Sequence, residues 1–243
     1  MNESVPPWMV AIVRYRTGET KPFMVVGAGV MVRPCWFLTA AHVPMSINTT
    51  TAVVGCNTLL DAPLACQYRI DKVKFFHSMP VAGDIENTIH DAALVHLSRP
   101  VTGIDQQKQP VPFATSGLPD HREPLEVFGW GETSHRALDY AHEMKRIKVL
   151  YDSVQDERIF TKTPLNERQG ACYGDSGGPL LRKRTDGTYE QFGIASSVRV
   201  AGNCSLGDDE YLRTTPELDW WIQHMCDDVV DKSVGSSTEA FIR

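Results

Sequence analysis

No run in this chain approaches the roughly 20 consecutive apolar residues that a helix needs to cross a bilayer, so a membrane-spanning helix is not expected. Basic residues form no stripe. With 24 Lys and Arg against 30 Asp and Glu, the formal charge is −6 and the signs are interspersed, which argues against nucleic acid as a partner. The six cysteines contain no Cys-x-x-Cys pair, so a structural zinc site is not expected. The acids between Asp61 and Asp84 lack the spacing of a calcium loop. Internal repeats and low-complexity segments are absent. The opening Met-Asn-Glu-Ser-Val-Pro-Pro-Trp lacks the apolar centre of a signal peptide. That leaves two possibilities: a precursor whose front has been removed, or a chain that never enters the secretory route.

What the chain has is a series of short apolar or alternating runs. Val10–Arg14, Met24–Val32, Tyr68–Phe76, Ala92–Leu97, Leu125–Trp130, Ile147–Tyr151, Leu180–Arg184, Gln191–Val198 and Tyr211–Thr214 are such runs, separated by Gly, Pro, Asn and Asp. They lie too close together for crossover helices, so an all-β fold is predicted. Hydrophobic residues make up 42% of 243 positions, enough for a substantial core. Residues 99–120 carry Pro100, Pro110, Pro112 and Pro119 with little alternation, as a linker between two β units would. One helix is predicted at 216–227. Thr215 caps it, Pro216 suits its first turn, and Leu218, Trp221, Ile222 and Met225 form one apolar stripe. Residues 228–243 are polar and read as a mobile tail.

An even number of cysteines in a loop-rich β chain points to disulfides, an oxidising compartment and a secreted protein. The sequons at Asn2, Asn48 and Asn203 agree with secretion. Cys56 and Cys66 flank a short excursion that a bridge between them would close.

Residues 171–180, Ala-Cys-Tyr-Gly-Asp-Ser-Gly-Gly-Pro-Leu, set Ser176 among Gly174, Asp175, Gly177 and Gly178. Small neighbours let a substrate carbonyl approach the main chain and leave N–H groups available to an oxyanion. A serine hydroxyl is a poor nucleophile alone, so a base and an orienting carboxylate are required. Upstream, Phe-Leu-Thr-Ala-Ala-His ends in His42, and His-Asp-Ala-Ala-Leu-Val-His-Leu places Asp91 at the head of an apolar strand. His77, His90, His96, His121, His135, His142 and His224 lack such context and are expected on the surface or in satisfied structural roles.

The order His42, Asp91, Ser176, with these local sequences, resembles the chymotrypsin/trypsin-like serine protease family. The likeness extends from Pro7-Trp8-Met9-Val10 through Gly129-Trp130-Gly131 to Trp220-Trp221-Ile222. It implies one peptidase domain over residues 1–243, built as two packed antiparallel Greek-key β-barrels with a C-terminal helix. The first barrel would span about 8–100, the linker 101–120 and the second barrel about 121–215. The implied chemistry is peptide hydrolysis through an acyl-enzyme, with Ser176 as nucleophile, His42 as base and Asp91 as orienting group. Gly174 and Ser176 would supply the oxyanion hole. Asp175 would be the activation carboxylate, pairing with a new α-ammonium. Gly170, Ala171, Tyr173, Ser196, Ser197, Val198 and Asp209 would form the substrate pocket.

Gly170 replaces the aspartate of trypsin-like pockets, while Asp209 faces the same base from the other wall, either to hold an Arg or Lys side chain or as part of a solvated acidic loop. The family pairing implies Cys172–Cys204, and the helix packing of related folds implies Cys35–Cys226. Gly27 and Val43 occupy the places of a cystine missing from the histidine loop. The implied partners are a polypeptide substrate and a protein inhibitor, with no cofactor, no metal and a monomeric chain. Because the usual activated start is absent, a non-catalytic or zymogen-like homologue acting as a binding protein is the alternative reading.

Overall fold

The computed structural model describes residues 5–16, 18–19, 21–77, 90–107, 109–115, 117–133, 140–164, 170–198 and 209–227. Twelve strands, one α-helix and a short 3-10 helix (Leu64–Cys66) lie in this part of the chain. Six strands, β1 (Met9–Tyr15), β2 (Pro22–Arg33), β3 (Trp36–Thr39), β4 (Thr50–Val54), β5 (Gln67–Phe75) and β6 (Ala93–Leu97), close into a barrel in the order β1-β2-β3-β6-β5-β4. Strands β7 (Pro124–Gly129), β8 (Lys145–Gln155), β9 (Arg158–Lys162), β10 (Pro179–Lys183), β11 (Tyr189–Val198) and β12 (Asp209–Arg213) close a second. Read from β7, its order is β7-β8-β9-β12-β11-β10, the same arrangement as the first barrel. All strand pairs are antiparallel. Closure leaves no unpaired sheet edge, which suits strands this short and apolar.

Alternation decides which side chains turn inward. Met9, Ile12, Met31, Phe37, Leu38, Ile70, Leu94 and Leu97 are fully buried in the first barrel, and Leu125, Ile159 and Tyr211 in the second. Each such aliphatic or Phe side chain contributes about 1.5–3 kcal/mol through burial. Aromatic side chains fasten the barrels together. The Trp8 ring meets Phe128 at 6.1 Å and Tyr189 at 6.0 Å, both edge to face. Trp130 is fully buried and donates its indole N–H to the Asn57 carbonyl at 2.8 Å, from one barrel to the other.

The helix α1 (Pro216–Asp227) starts as its composition predicts: the Leu218 N–H donates to the Thr215 hydroxyl at 3.2 Å. Glu217 and Asp219 stand in its first turn, favourably placed for the helix dipole. Leu218, Trp221 and Ile222 are buried against the core, and Trp221 meets Phe76 at 5.2 Å.

The Cys56–Cys66 bridge is formed. Cys172 is disulfide-bonded, while Cys204, its expected partner, lies outside the described residues. The expected Cys35–Cys226 bridge is not formed; both residues are thiols. Trp36, the first residue of β3, lies near the helix end. Lys74 joins them, with its ammonium 5.3 Å from the Trp36 ring centroid and donating to the Met225 carbonyl at 2.9 Å. The Cys35 thiol sits where burial first, and the Asp71 charge second, raise its pKa. Residues 228–243, expected as a tail, also lie outside the described set.

Candidate active site

The pairing of β3 with β6 builds half of the site. Thr39 lies opposite Ala93, so the segment leaving β3 meets the segment entering β6. His42 and Asp91, 49 residues apart in sequence, thereby touch: His42 Nδ1 is 2.7 Å from Asp91 Oδ2. The His42 backbone N–H donates to Asp91 Oδ1 at 2.9 Å, and the Ser196 hydroxyl, from the second barrel, donates to Oδ2 at 2.5 Å. Asp91 is only 1% exposed. Burial by itself pushes its carboxyl up, but the hydrogen bonds and charge of His42, with the Ser196 hydroxyl, outweigh this and hold it below the usual carboxylate range. Asp91 is thus an anion whose oxygens are committed to orienting the imidazole.

The other half is the turn from Cys172 to Gly178. Gly174 at φ +95° and Gly177 at φ +84° adopt left-handed backbone that favours glycine. A Cβ on Gly177 would also run into Thr39 and the Ala28 carbonyl. Most of the turn's backbone is fixed. The Asp175 N–H donates to the Cys172 carbonyl at 2.9 Å, Gly178 N–H to Asp175 at 2.9 Å, and Gly177 N–H to Ala195 at 2.7 Å. The Ser176 carbonyl accepts from Ala28 of β2 at 2.8 Å, tying the serine to the first barrel. Among the described residues, the backbone N–H groups of Gly174 and Ser176 alone in this stretch of 174–178 have no protein acceptor. Val43 stands where the missing cystine would be: its methyl carbons would lie 2.8 and 2.9 Å from a Cβ on Gly27, so its isopropyl group fills that space.

Asp175 is half-buried, with its carboxylate turned against Gly129 and Gly131 rather than lining the cleft. Its carboxylate accepts from the Gly131 N–H at 2.8 Å and the Cys172 N–H at 2.9 Å. Burial pushes its pKa up to about 6, although both N–H groups favour the anion. Gly129 and Gly131 must be glycine here, since a Cβ on either would overlap the carboxylate. No cationic side chain among the described residues pairs with Asp175.

One cavity of about 470 Å³ joins the two halves, lined by His42, Gly174 and Ser176. Ala171, Tyr173, Ser196, Ser197 and Asp209 line it too. Gly170 is not among its lining residues, and Val198 enters this region through backbone pairing with Asp209. Asp209 is 2% exposed and accepts the Ala171 N–H at 2.9 Å, so it is a buried wall residue rather than part of a solvated loop. Sequence reasoning passed over Met24, Pro44 and Tyr140, which also line the cavity. They carry no local motif: Met24 comes from β2, Pro44 from the segment just after His42 and Tyr140 from the segment before β8.

Among the other histidines, His96 donates its Nδ1–H to the Asp71 carboxylate at 2.6 Å on the first barrel. The His77 and His90 rings meet at a 36° tilt with centroids 3.7 Å apart. His135 lies outside the described residues. No cluster that could hold a metal ion occurs among the described residues, nor any helix long and apolar enough to cross a membrane.

Two like barrels with a His–Asp pair and a glycine-lined serine in one cavity are the architecture of a chymotrypsin-fold peptidase. The family model for trypsin matches residues 1–221, and the chain belongs to the trypsin family. Tonin of Rattus norvegicus is 29% identical over 205 residues, covering 72% of this chain and 70% of tonin. Brachyurin of Leptuca pugilator is 29% identical over 212 residues, covering 79% and 84%. Phenoloxidase-activating factor 3 of Holotrichia diomphalia is 26% identical over 252 residues, covering 90% and 69%.

Proposed function

We propose that this chain, as one peptidase domain, is a serine endopeptidase that cleaves peptide bonds through an acyl-enzyme. Ser176 Oγ attacks the substrate carbonyl while His42 takes its proton. The tetrahedral intermediate collapses, the C–N bond breaks, and His42 returns the proton to the leaving amine. Water, deprotonated by His42, then attacks the ester, and Ser176 regains its hydrogen. Asp91 keeps the imidazole in the needed tautomer and stabilises the imidazolium. The N–H groups of Gly174 and Ser176 hold the oxyanion, each worth roughly 3–4 kcal/mol of transition-state stabilisation.

The observation that carries this reading is the pair of N–H groups at Gly174 and Ser176 with no protein acceptor, in a cavity shared with the Asp91-held imidazole. Asp209 in the cavity wall supports a preference for Arg or Lys before the cleaved bond. The working context is extracellular, with a polypeptide substrate, a protein inhibitor as a further partner, no cofactor and a monomeric chain.

One observation favours the second reading, a zymogen-like or non-catalytic homologue. The Asp175 carboxylate is buried with backbone donors and no cationic partner among the described residues. A fluorophosphonate probe separates the two. The enzyme reading expects stoichiometric labelling of the chain and none of Ser176→Ala, with unchanged circular dichroism. Equal peptide hydrolysis by parent and Ser176→Ala would refute Ser176 as nucleophile. A parent that neither labels nor hydrolyses favours the second reading.

A further inference from the structure

The sequon Asn48-Thr49-Thr50 has its acceptor among the described residues, whereas Asn2 and Asn203 lie outside them. A sequon that carries a sugar must present its asparagine on a surface loop. Asn48 meets that condition. The Thr49 and Thr50 N–H groups donate to the Ser46 carbonyl at 3.1 and 2.9 Å, and the Ser46 N–H donates to the Thr50 hydroxyl at 2.9 Å. These bonds close a turn whose tip, Ile47, Asn48 and Thr49, is exposed throughout. Among the described residues the Asn48 amide has no hydrogen-bond partner, so a group attached to it breaks no contact of the fold. The Cys56–Cys66 bridge and the disulfide of Cys172 fit an oxidising compartment, where sequons also receive their sugars.

The place of this turn gives the sugar a consequence. Arg14 of β1 lies opposite Met24 of β2 and opposite Thr50 of β4. Its guanidinium donates to the Pro44 carbonyl at 2.6 Å. Met24 and Pro44 both line the active-site cavity. Arg14 thus joins one rim of the cavity to both ends of the excursion from Pro44 to Thr50. Tied at both ends, the excursion holds its tip near that rim. Asn48 follows Pro44 by four residues, which the chain cannot stretch beyond about 14 Å.

We propose that Asn48 carries an N-linked oligosaccharide that stands at the active-site rim, slowing the approach of bulky proteins while short peptides enter freely. In the transfer, Asn48 Nδ2 bonds to the anomeric carbon of a lipid-diphosphate-linked oligosaccharide. The carbon–oxygen bond to the diphosphate breaks, Nδ2 gives up a proton, and the lipid diphosphate leaves. Transfer acts on the chain before it folds, so the burial of Thr50 in the fold does not oppose it. The shielding rests on the serine-peptidase reading; the modification does not.

The test secretes the full chain from eukaryotic cells, treats it with peptide:N-glycosidase in heavy-oxygen water and maps its peptides by mass spectrometry. Residue 48 is expected as heavy-labelled aspartate, in a chain whose Cys56–Cys66 bridge is formed. An unmodified Asn48 beside a formed bridge overturns the proposal. Shielding is read with one fluorophosphonate warhead in two sizes, either small or joined by a short linker to streptavidin. Asn48→Gln and the glycosidase-treated chain are expected to react with the bulky reagent about three- to tenfold faster than the glycosylated parent, and with the small reagent at the parent rate. Asn48→Gln assigns the effect to this sequon, and the treated chain carries the test where that variant is poorly secreted. Equal rates with the bulky reagent overturn the shielding. A chain that carries the sugar yet reacts with neither reagent fails the peptidase reading and upholds the modified Asn48.

Discussion

The ionisation of Asp175 offers a direct measurement of an unpaired buried charge. Burial of its carboxyl pushes the pKa up to about 6 in the fold, against an ordinary value of 3.8. The folded pKa is the higher one. The group's contribution to stability is therefore complete below pH 3.8 and is lost as pH rises through about 6. At 1.36 kcal/mol per pK unit, the loss between pH 4 and pH 8 is roughly 2–3 kcal/mol. Two backbone donors moderate this cost but do not cancel it. The perturbation is Asp175→Asn, which removes the ionisation while keeping the side-chain size. Its amide cannot accept from both the Gly131 and Cys172 N–H groups, so at pH 4 the variant is the less stable. As pH rises to 8, the parent loses stability that the variant does not, and the gap narrows by roughly 2–3 kcal/mol. Urea unfolding of both proteins at pH 4, 6 and 8 and constant salt reads this difference, since the other titrating groups cancel between them. A gap that stays constant within about 0.5 kcal/mol would refute the reasoning. A gap that widens with pH would mean that a cation reaches Asp175 in solution and lowers its pKa below 3.8.

Two further outcomes are expected. Asp209→Asn should lower kcat/KM for cleavage after arginine by about 10–100-fold relative to cleavage after phenylalanine, read with paired fluorogenic peptides; an unchanged ratio removes Asp209 from specificity. Gly131→Ala should destabilise the fold by about 1–3 kcal/mol in urea unfolding and depress hydrolysis, because its Cβ overlaps the Asp175 carboxylate and must displace the oxyanion turn; parent-like stability would show that the turn can yield.

The chemistry-bearing segments were legible because each carries its own local reason. Glycines flank Ser176 where the backbone turns left-handed, and small residues lead from β3 into His42. Strand rhythm was legible wherever apolar alternation was strong. The runs named from sequence omit β3, Trp-Phe-Leu-Thr, β4, Thr-Thr-Ala-Val-Val, and β9, Arg-Ile-Phe-Thr-Lys. All three are short, and the polar members of β4 and β9 blur the period, so closure of the barrels is what makes them strands. The Cys35–Cys226 expectation failed because proximity of elements was taken for proximity of side chains. It is the neighbouring Trp36 that is linked to the helix end, through Lys74.

The amino-acid order alone determined an all-β chain of two units with a terminal helix and three chemically suited residues at distant points. Its causes are short-range: periodicity, turn residues and caps act within a few positions of one another. The fold decided which distant groups meet. The β3–β6 register sets Asp91 under His42, the second barrel lends Ser196 to the same carboxylate, and burial raises the pKa of Asp175. It likewise set the turn bearing Asn48 beside the active-site cavity, where Arg14 joins Met24, Pro44 and Thr50. Distances and desolvation depend on three-dimensional packing, which no local stretch of sequence contains.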